Sequence, residues 1–184
     1  MIATERRRLT VEDYRKLPED DWRYQLIDGE IVIVPALNFF HQRILMNLLR
    51  ILDQYVEERQ LGQVLCAPLD VYLDDNNVYQ PDVLFISHDR VSIIRDDGLH
   101  GAPNLAIEIL SPRTARYDLN AKRTGYIGAG VRELWLVYPE GKRVDLFNPE
   151  QTSKEPVASY SLGKIVHSTL FPDLEIATDK IFAR

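Results

Sequence analysis

One acidic residue interrupts an otherwise apolar run, Leu105-Ala106-Ile107-Glu108-Ile109-Leu110. A carboxylate in the middle of a buried strand is costly unless a cation or a hydrogen-bond donor compensates it, so something must sit opposite Glu108. A second lone acid, Asp82, follows Gln80-Pro81 and heads the apolar run Val83-Leu84-Phe85-Ile86. Side chains two apart along a strand share a face, which groups Gln80, Asp82 and Leu84 on one side and Ala106, Glu108 and Leu110 on one side of their own strand. The intervening segment is long enough for a loop and one reversal, so the two strands can be neighbours, and in the right register the carboxylates meet. Two carboxylates, a backbone carbonyl and waters form the oxygen set that magnesium takes. Such a site activates water and clamps a phosphate oxygen, which is the usual route to phosphodiester hydrolysis.

A lysine near the water would complete the constellation. Leu110 occupies the same-face position two after Glu108, but the next helix carries Asp118 and Lys122 at i and i+4, hence on one face. Packed over the strand, Lys122 would orient the water or stabilise charge on the phosphate, and would compensate Glu108. Each residue alone has a plainer reading: Asp82 as a turn acid after proline, Lys122 as a solvated lysine or the partner of Glu108 in a structural ion pair. The three together are harder to explain that way. Arg113, Arg116 and Arg123 flank the same region and are candidates for phosphate contacts.

The positioning elements are legible from pattern. Thr10 and Asp13 resemble a capping box that opens a short helix ending near Leu17-Pro18. Tyr24 to Ile27 and Glu30 to Val34 flank Asp28-Gly29, a two-residue hairpin turn. From His41, the residues Ile44, Leu45, Leu48, Leu49, Leu52, Tyr55 and Val56 recur with helical spacing, and Gly62 supplies a stop. Strands are expected at Gln63 to Cys66, Leu69 to Leu73 and Val78 to Ile86, the last two joined by the solvated turn Asp74 to Asn77. A central strand holds Glu108, and a helix then runs through Tyr117, Leu119, Lys122 and Tyr126 to Gly128 and Gly130. Arg132 to Tyr138 pairs with Arg143 to Phe147, and short edge strands follow at Val157 to Tyr160, Lys164 to His167 and Leu174 to Ile176. The class is α/β (α+β), with one central mixed sheet flanked by helices.

Composition narrows the function classes. The chain has 184 residues, 45% hydrophobic, which fits one domain spanning residues 1–184. A net charge of −6 argues against a module that only coats DNA, but not against an enzyme that gathers carboxylates around a cation. Cys66 lies between apolar neighbours as a core residue. The N-terminal stretch lacks a signal peptide's apolar segment and no run approaches membrane-spanning length, so a cytoplasmic, membrane-free protein is expected. Gly128-Ala129-Gly130 ends a helix rather than joining strand to helix, so no nucleotide cofactor is expected.

The residues Tyr24 to Glu30, His41, Gln80-Pro81-Asp82, Leu105 to Thr114, Asp118, Lys122, Tyr126 and Gly130 to Val137 resemble, in order, the Uma-two family of restriction endonucleases. The resemblance covers roughly Thr10 to Phe171. It implies the PD-(D/E)XK nuclease superfamily, whose core is a mixed sheet flanked by helices with magnesium-binding acids on adjacent strands. On that pattern Asp82 and Glu108 hold magnesium or manganese with the carbonyl of Ile109, and DNA is the substrate. Leu110 replaces the usual lysine, which the family carries on the following helix, here Lys122. Gln25 stands where relatives often have Glu, and Glu30 reads as a hairpin surface residue instead. His41 matches a family histidine and reads as a helix cap or DNA contact, outside the catalytic set. The superfamily also implies a homodimer. A nuclease fold with a decayed site is the rival reading, and a hydrolase of small phosphate esters is a third.

Overall fold

The computed structural model describes residues 7–34, 36–111, 118–151 and 155–184. Its helices are α1 (Val11–Tyr14), α2 (Phe39–Glu58), α3 (Arg123–Ala129) and α4 (Thr178–Ile181). Its strands are β1 (Arg23–Ile27), β2 (Glu30–Val34), β3 (Gly62–Cys66), β4 (Val71–Asp74), β5 (Asn77–Tyr79), β6 (Val83–Ser87), β7 (Ile94–Arg95), β8 (Gly98–His100), β9 (Leu105–Ile109), β10 (Glu133–Tyr138), β11 (Arg143–Phe147), β12 (Ala158–Ser161), β13 (Ile165–His167) and β14 (Glu175–Ala177). The architecture is mixed α+β. A central sheet has the order β12-β11-β10-β9-β6-β3, a second sheet the order β2-β1-β5-β4-β8-β7, and β13 pairs with β14.

Local chemistry sets several of these elements. Asp28 and Gly29 both take positive φ, the backbone of the turn type whose twist matches a right-handed hairpin, and they register Ile27 against Glu30. The Asn38 side chain caps α2 by accepting the His41 N–H at 2.9 Å. The apolar stripe of α2, Ile44, Leu45, Leu48, Leu52, Tyr55 and Val56, then packs on one face of the central sheet. There it meets Val83, Phe85, Leu105, Ile107 and Ile109, and the C-terminal residues Val166, Phe171, Leu174, Ile176, Ile181 and Phe182 close the same core. The opposite face of the central sheet, with Ala106, Leu134 and Leu136, packs against Ile27 and Tyr79 of the second sheet and Tyr126 of α3. Among the described residues no helix is long and apolar enough to cross a membrane.

Where sequence pattern suggests one strand over Val78 to Ile86, there are two, in different sheets. Pro81 has no N–H to give a ladder, so pairing breaks at Gln80-Pro81-Asp82. β5 stays in the second sheet and β6 enters the central one. The single expected sheet is therefore a pair of sheets, and Asp82 lies on the crossing between them.

A second carboxylate holds the core together. Glu133, at the start of β10, is 1% exposed and accepts hydrogen bonds from the Trp135 indole N–H (2.7 Å), the Ser168 hydroxyl (2.7 Å) and the backbone N–H groups of Thr169 (2.7 Å) and Leu170 (3.2 Å). The segment Gly130 to Val137 enters the sequence reading only through the family resemblance, with no role for its acid; here Glu133 ties residues 168–170 to the sheet. Replacing Glu133 by Ala leaves these donors unpaired and should cost about 3 kcal/mol or more. That corresponds to a fall in melting temperature of about 6–12 °C for a domain of this size. An unchanged thermal melt would show that the clamp adds nothing to stability.

Candidate functional site

The site lies where the two sheets share an end. β6 and β9 are antiparallel neighbours, with Val83 opposite Ile107 and Leu84 opposite Ala106. One step further along this register, Asp82 falls opposite Glu108, and directly opposed side chains share a face. Both acids are buried, at 8% and 4% exposure. Asp82 is fixed through one oxygen: Oδ2 accepts the backbone N–H of Ile109 at 2.7 Å and lies 3.3 Å from Nε2 of His41. Its Oδ1 carries no hydrogen bond among the described residues.

Glu108 is compensated from α3 and the turn before it. Oε1 accepts from the Lys122 ammonium and from the Tyr126 hydroxyl, each at 2.6 Å. Lys122 ends a π-helical turn, Asp118–Lys122, that leads into α3. Such wide turns re-aim a side chain relative to the regular helix that follows. Lys122 and Tyr126 are four apart, so both descend on the strand from one face of the helix. Tyr126 stands edge-on to Tyr79, with ring centroids 5.0 Å apart. Burial, then the carboxylates of Asp74, Asp28 and Glu108, hold the Tyr79 phenol protonated well above its ordinary range. A Cβ at Gly125 would come within 2.1 Å of the Tyr79 hydroxyl oxygen. Glycine inside a helix costs about 1 kcal/mol in propensity, yet here it lets α3 approach the tyrosine.

The two acids and Lys122 face a cleft of about 540 Å³, including its open mouth. The hairpin supplies one wall with Arg23, Gln25, Ile27, Val32 and Val34, and Asp82, Glu108, Ile109 and Lys122 line the other side. The Gln25 side chain, where an auxiliary acid was a possibility, accepts the Gln80 N–H at 3.1 Å and so fixes the chain just before Pro81-Asp82. Glu30 is exposed, as a hairpin surface residue should be.

The structure thus brings Asp82, Glu108, Ile109 and Lys122 together. Arg123 does not line the cleft; its guanidinium lies 5.4 Å from the Phe147 ring. Arg113 and Arg116 lie outside the described residues. Of the cleft residues, Arg23 has no counterpart in the sequence reading and His41 figures there only as a helix cap or DNA contact; Tyr126, which bonds Glu108 from α3, is given no site role. Tyr126 could have been found from its i+4 spacing to Lys122. His41 could have been found because it shares the buried stripe of Ile44, Leu45 and Leu48, where a titratable ring needs a reason.

The Glu108–Lys122 pair yields a stability test. Lys122→Met removes the cation from a buried carboxylate and should cost about 3–5 kcal/mol in denaturant unfolding, most of it regained when Glu108→Gln is added. A single-variant loss too small to resolve would contradict an ion pair at this position.

Comparison with solved structures places the fold beside a crystal structure titled a "putative nuclease belonging to DUF820" from Anabaena variabilis. The TM-score is 0.78 at 19% identity, over 95% of this chain and 98% of that one. An uncharacterised protein of Synechocystis sp. is 25% identical over 124 residues, 66% of this chain and 70% of that protein. The family model Uma2, described as "putative restriction endonuclease", matches residues 11–179. With nearly the whole described fold inside that match, the chain belongs to the Uma2 family.

Proposed function

We propose that this protein is a magnesium- or manganese-dependent endonuclease that hydrolyses phosphodiester bonds of DNA. The observation that carries the reading is the β6–β9 register, which sets Asp82 opposite Glu108 with Lys122 bonded to the latter. The donor set fits a hard, hydrated cation. Among the described residues no group of three or more His, Cys, Asp and Glu side chains converges. Magnesium does not need one, because it keeps several waters and takes one or two carboxylates. Asp82 and Glu108, with the Ile109 carbonyl, would hold it, and when bound it would supply an activated water and neutralise phosphate charge.

The chain's own residues do the rest. The Ile109 N–H fixes Oδ2 of Asp82, a residue of the cleft lining, and leaves Oδ1 without a hydrogen bond among the described residues. Lys122 offers ammonium protons to the attacking water or to a non-bridging phosphate oxygen, where negative charge grows in the transition state. Tyr126 shares Oε1 of Glu108 with Lys122 and so limits how far the carboxylate can swing. Attack of water on phosphorus with rupture of the bond to the 3′ oxygen leaves 5′-phosphate and 3′-hydroxyl ends. Cutting both strands of a duplex favours two symmetric sites, hence a homodimer, and sedimentation should give twice the chain mass; a monomer at working concentration would rule that assembly out.

One observation favours a second reading, a nuclease fold that has lost its chemistry. The buried 2.6 Å contact between Lys122 and Glu108 is also what a structural ion pair presents. Titration of the purified protein with magnesium or manganese separates the two, with Asp82→Ala and Glu108→Ala beside the wild type. The nuclease reading expects binding by the wild type alone and cleavage of plasmid DNA that falls by at least about 100-fold in either variant. Absence of cation binding in all three proteins would favour the inactive fold.

A further inference from the structure

The contact between His41 and Asp82 is not used by the mechanism above, and it is built in an unusual way. His41 is 3% exposed, sits in the first turn of α2, and has its backbone N–H taken by the Asn38 cap. Its Nε2 lies 3.3 Å from Oδ2 of Asp82, the oxygen that also accepts the Ile109 N–H. Its Nδ1 is buried with no hydrogen-bond partner. A neutral imidazole has one N–H to place. On Nε2 it turns the positive end of the N–H dipole toward the Asp82 oxygen 3.3 Å away and leaves Nδ1 as a bare acceptor. On Nδ1 it would bury a donor with no acceptor and set a nitrogen lone pair against the Asp82 oxygen. The first arrangement leaves one unmet acceptor and the second leaves an unmet donor plus a repulsion, so the site selects the Nε2–H form.

We propose that His41 is a positioning residue that, through Nε2–H, pins Oδ2 of Asp82 from the helix side while the Ile109 N–H pins it from the strand side, so that Oδ1 is presented to the cation. The proposal rests on the metal-dependent reading of Asp82. A hydrogen bond from the strand and a polar contact from the helix, both on one oxygen, restrict the carboxylate more than the Ile109 N–H alone, which would leave it free to turn about that bond. The cap supports this arrangement directly: Asn38 fixes the backbone of residue 41, so α2 enters its first turn with the ring already directed at the crossing between the sheets. A histidine needed only for packing would not require an apolar stripe to accommodate an unmet ring nitrogen.

Two measurements test this. Magnesium titration by calorimetry compares the wild type with His41→Ala, His41→Asn and His41→Gln. Loss of an outer partner that orients a metal-binding carboxylate typically costs 10–100-fold in affinity, which is expected for His41→Ala. Glutamine, which carries a donor about as far out as Nε2, should restore most of the affinity, and asparagine, whose donor stops at the Nδ1 position, should not. Metal-free nitrogen-15 imidazole spectra should show the Nε2–H form in the wild type and lose that preference in Asp82→Ala. Wild-type affinity in His41→Ala, or an Nδ1–H ring in the wild type, would overturn the proposal while leaving the nuclease reading in place. If the wild type binds no cation, the nuclease reading falls, and the ring spectra alone decide whether His41 holds Asp82. If all three His41 variants fail to fold, the wild-type and Asp82→Ala spectra still decide it.

Discussion

Glu108 stands in the middle of a strand whose neighbours on both sides are strands and whose faces are both covered. A charge in that position has to be answered, and the answer comes from outside the sheet, from Lys122 and Tyr126. Much of the surrounding architecture follows from that need. The π-helical turn aims Lys122, Gly125 lets the helix come close, and Tyr79 packs edge-on against Tyr126. Two apolar residues of similar volume in place of Glu108 and Lys122 could be as stable or more so, since buried ion pairs seldom repay their desolvation. Stability alone therefore gives no reason for a charged pair at this place in the core.

The acids were legible in the sequence because each broke an apolar run, and that local anomaly survives any uncertainty about register. Their meeting was only conditional: antiparallel neighbours was one of several arrangements, and the pairing of β6 with β9 is a long-range fact that no local pattern encodes. The break at Pro81 is hidden from pattern for a different reason. The apolar residues continue on both sides of it, so periodicity read one strand where a missing N–H makes two. The hairpin and α2 were legible because their signals, Asp28-Gly29 and the spaced Leu and Ile residues, are contained within the elements themselves.

The residues that escaped share a feature. His41 and Tyr126 do their work across elements, on carboxylates far away in the chain, and each looks ordinary within its own helix. His41 in particular is both a helix-start residue and a neighbour of Asp82; the first role is local and was seen, the second depends on how α2 lies on the sheet. Glu133 shows the opposite limit, because its motif stood out while the donors it serves lie some 35 residues further on.

The core on the α2 side of the central sheet is closed by Val166, Phe171, Leu174, Ile176, Ile181 and Phe182, and the Glu133 clamp is filled only by residues 168–170. During synthesis the stripe of α2 is therefore made long before its last covering residues leave the ribosome. Until then a 20-residue amphipathic helix and a buried-type carboxylate have no native partners at that end of the fold. This face of the core cannot close until residues 166–182 have been made, and in that interval the apolar stripe of α2 is the surface a chaperone would meet.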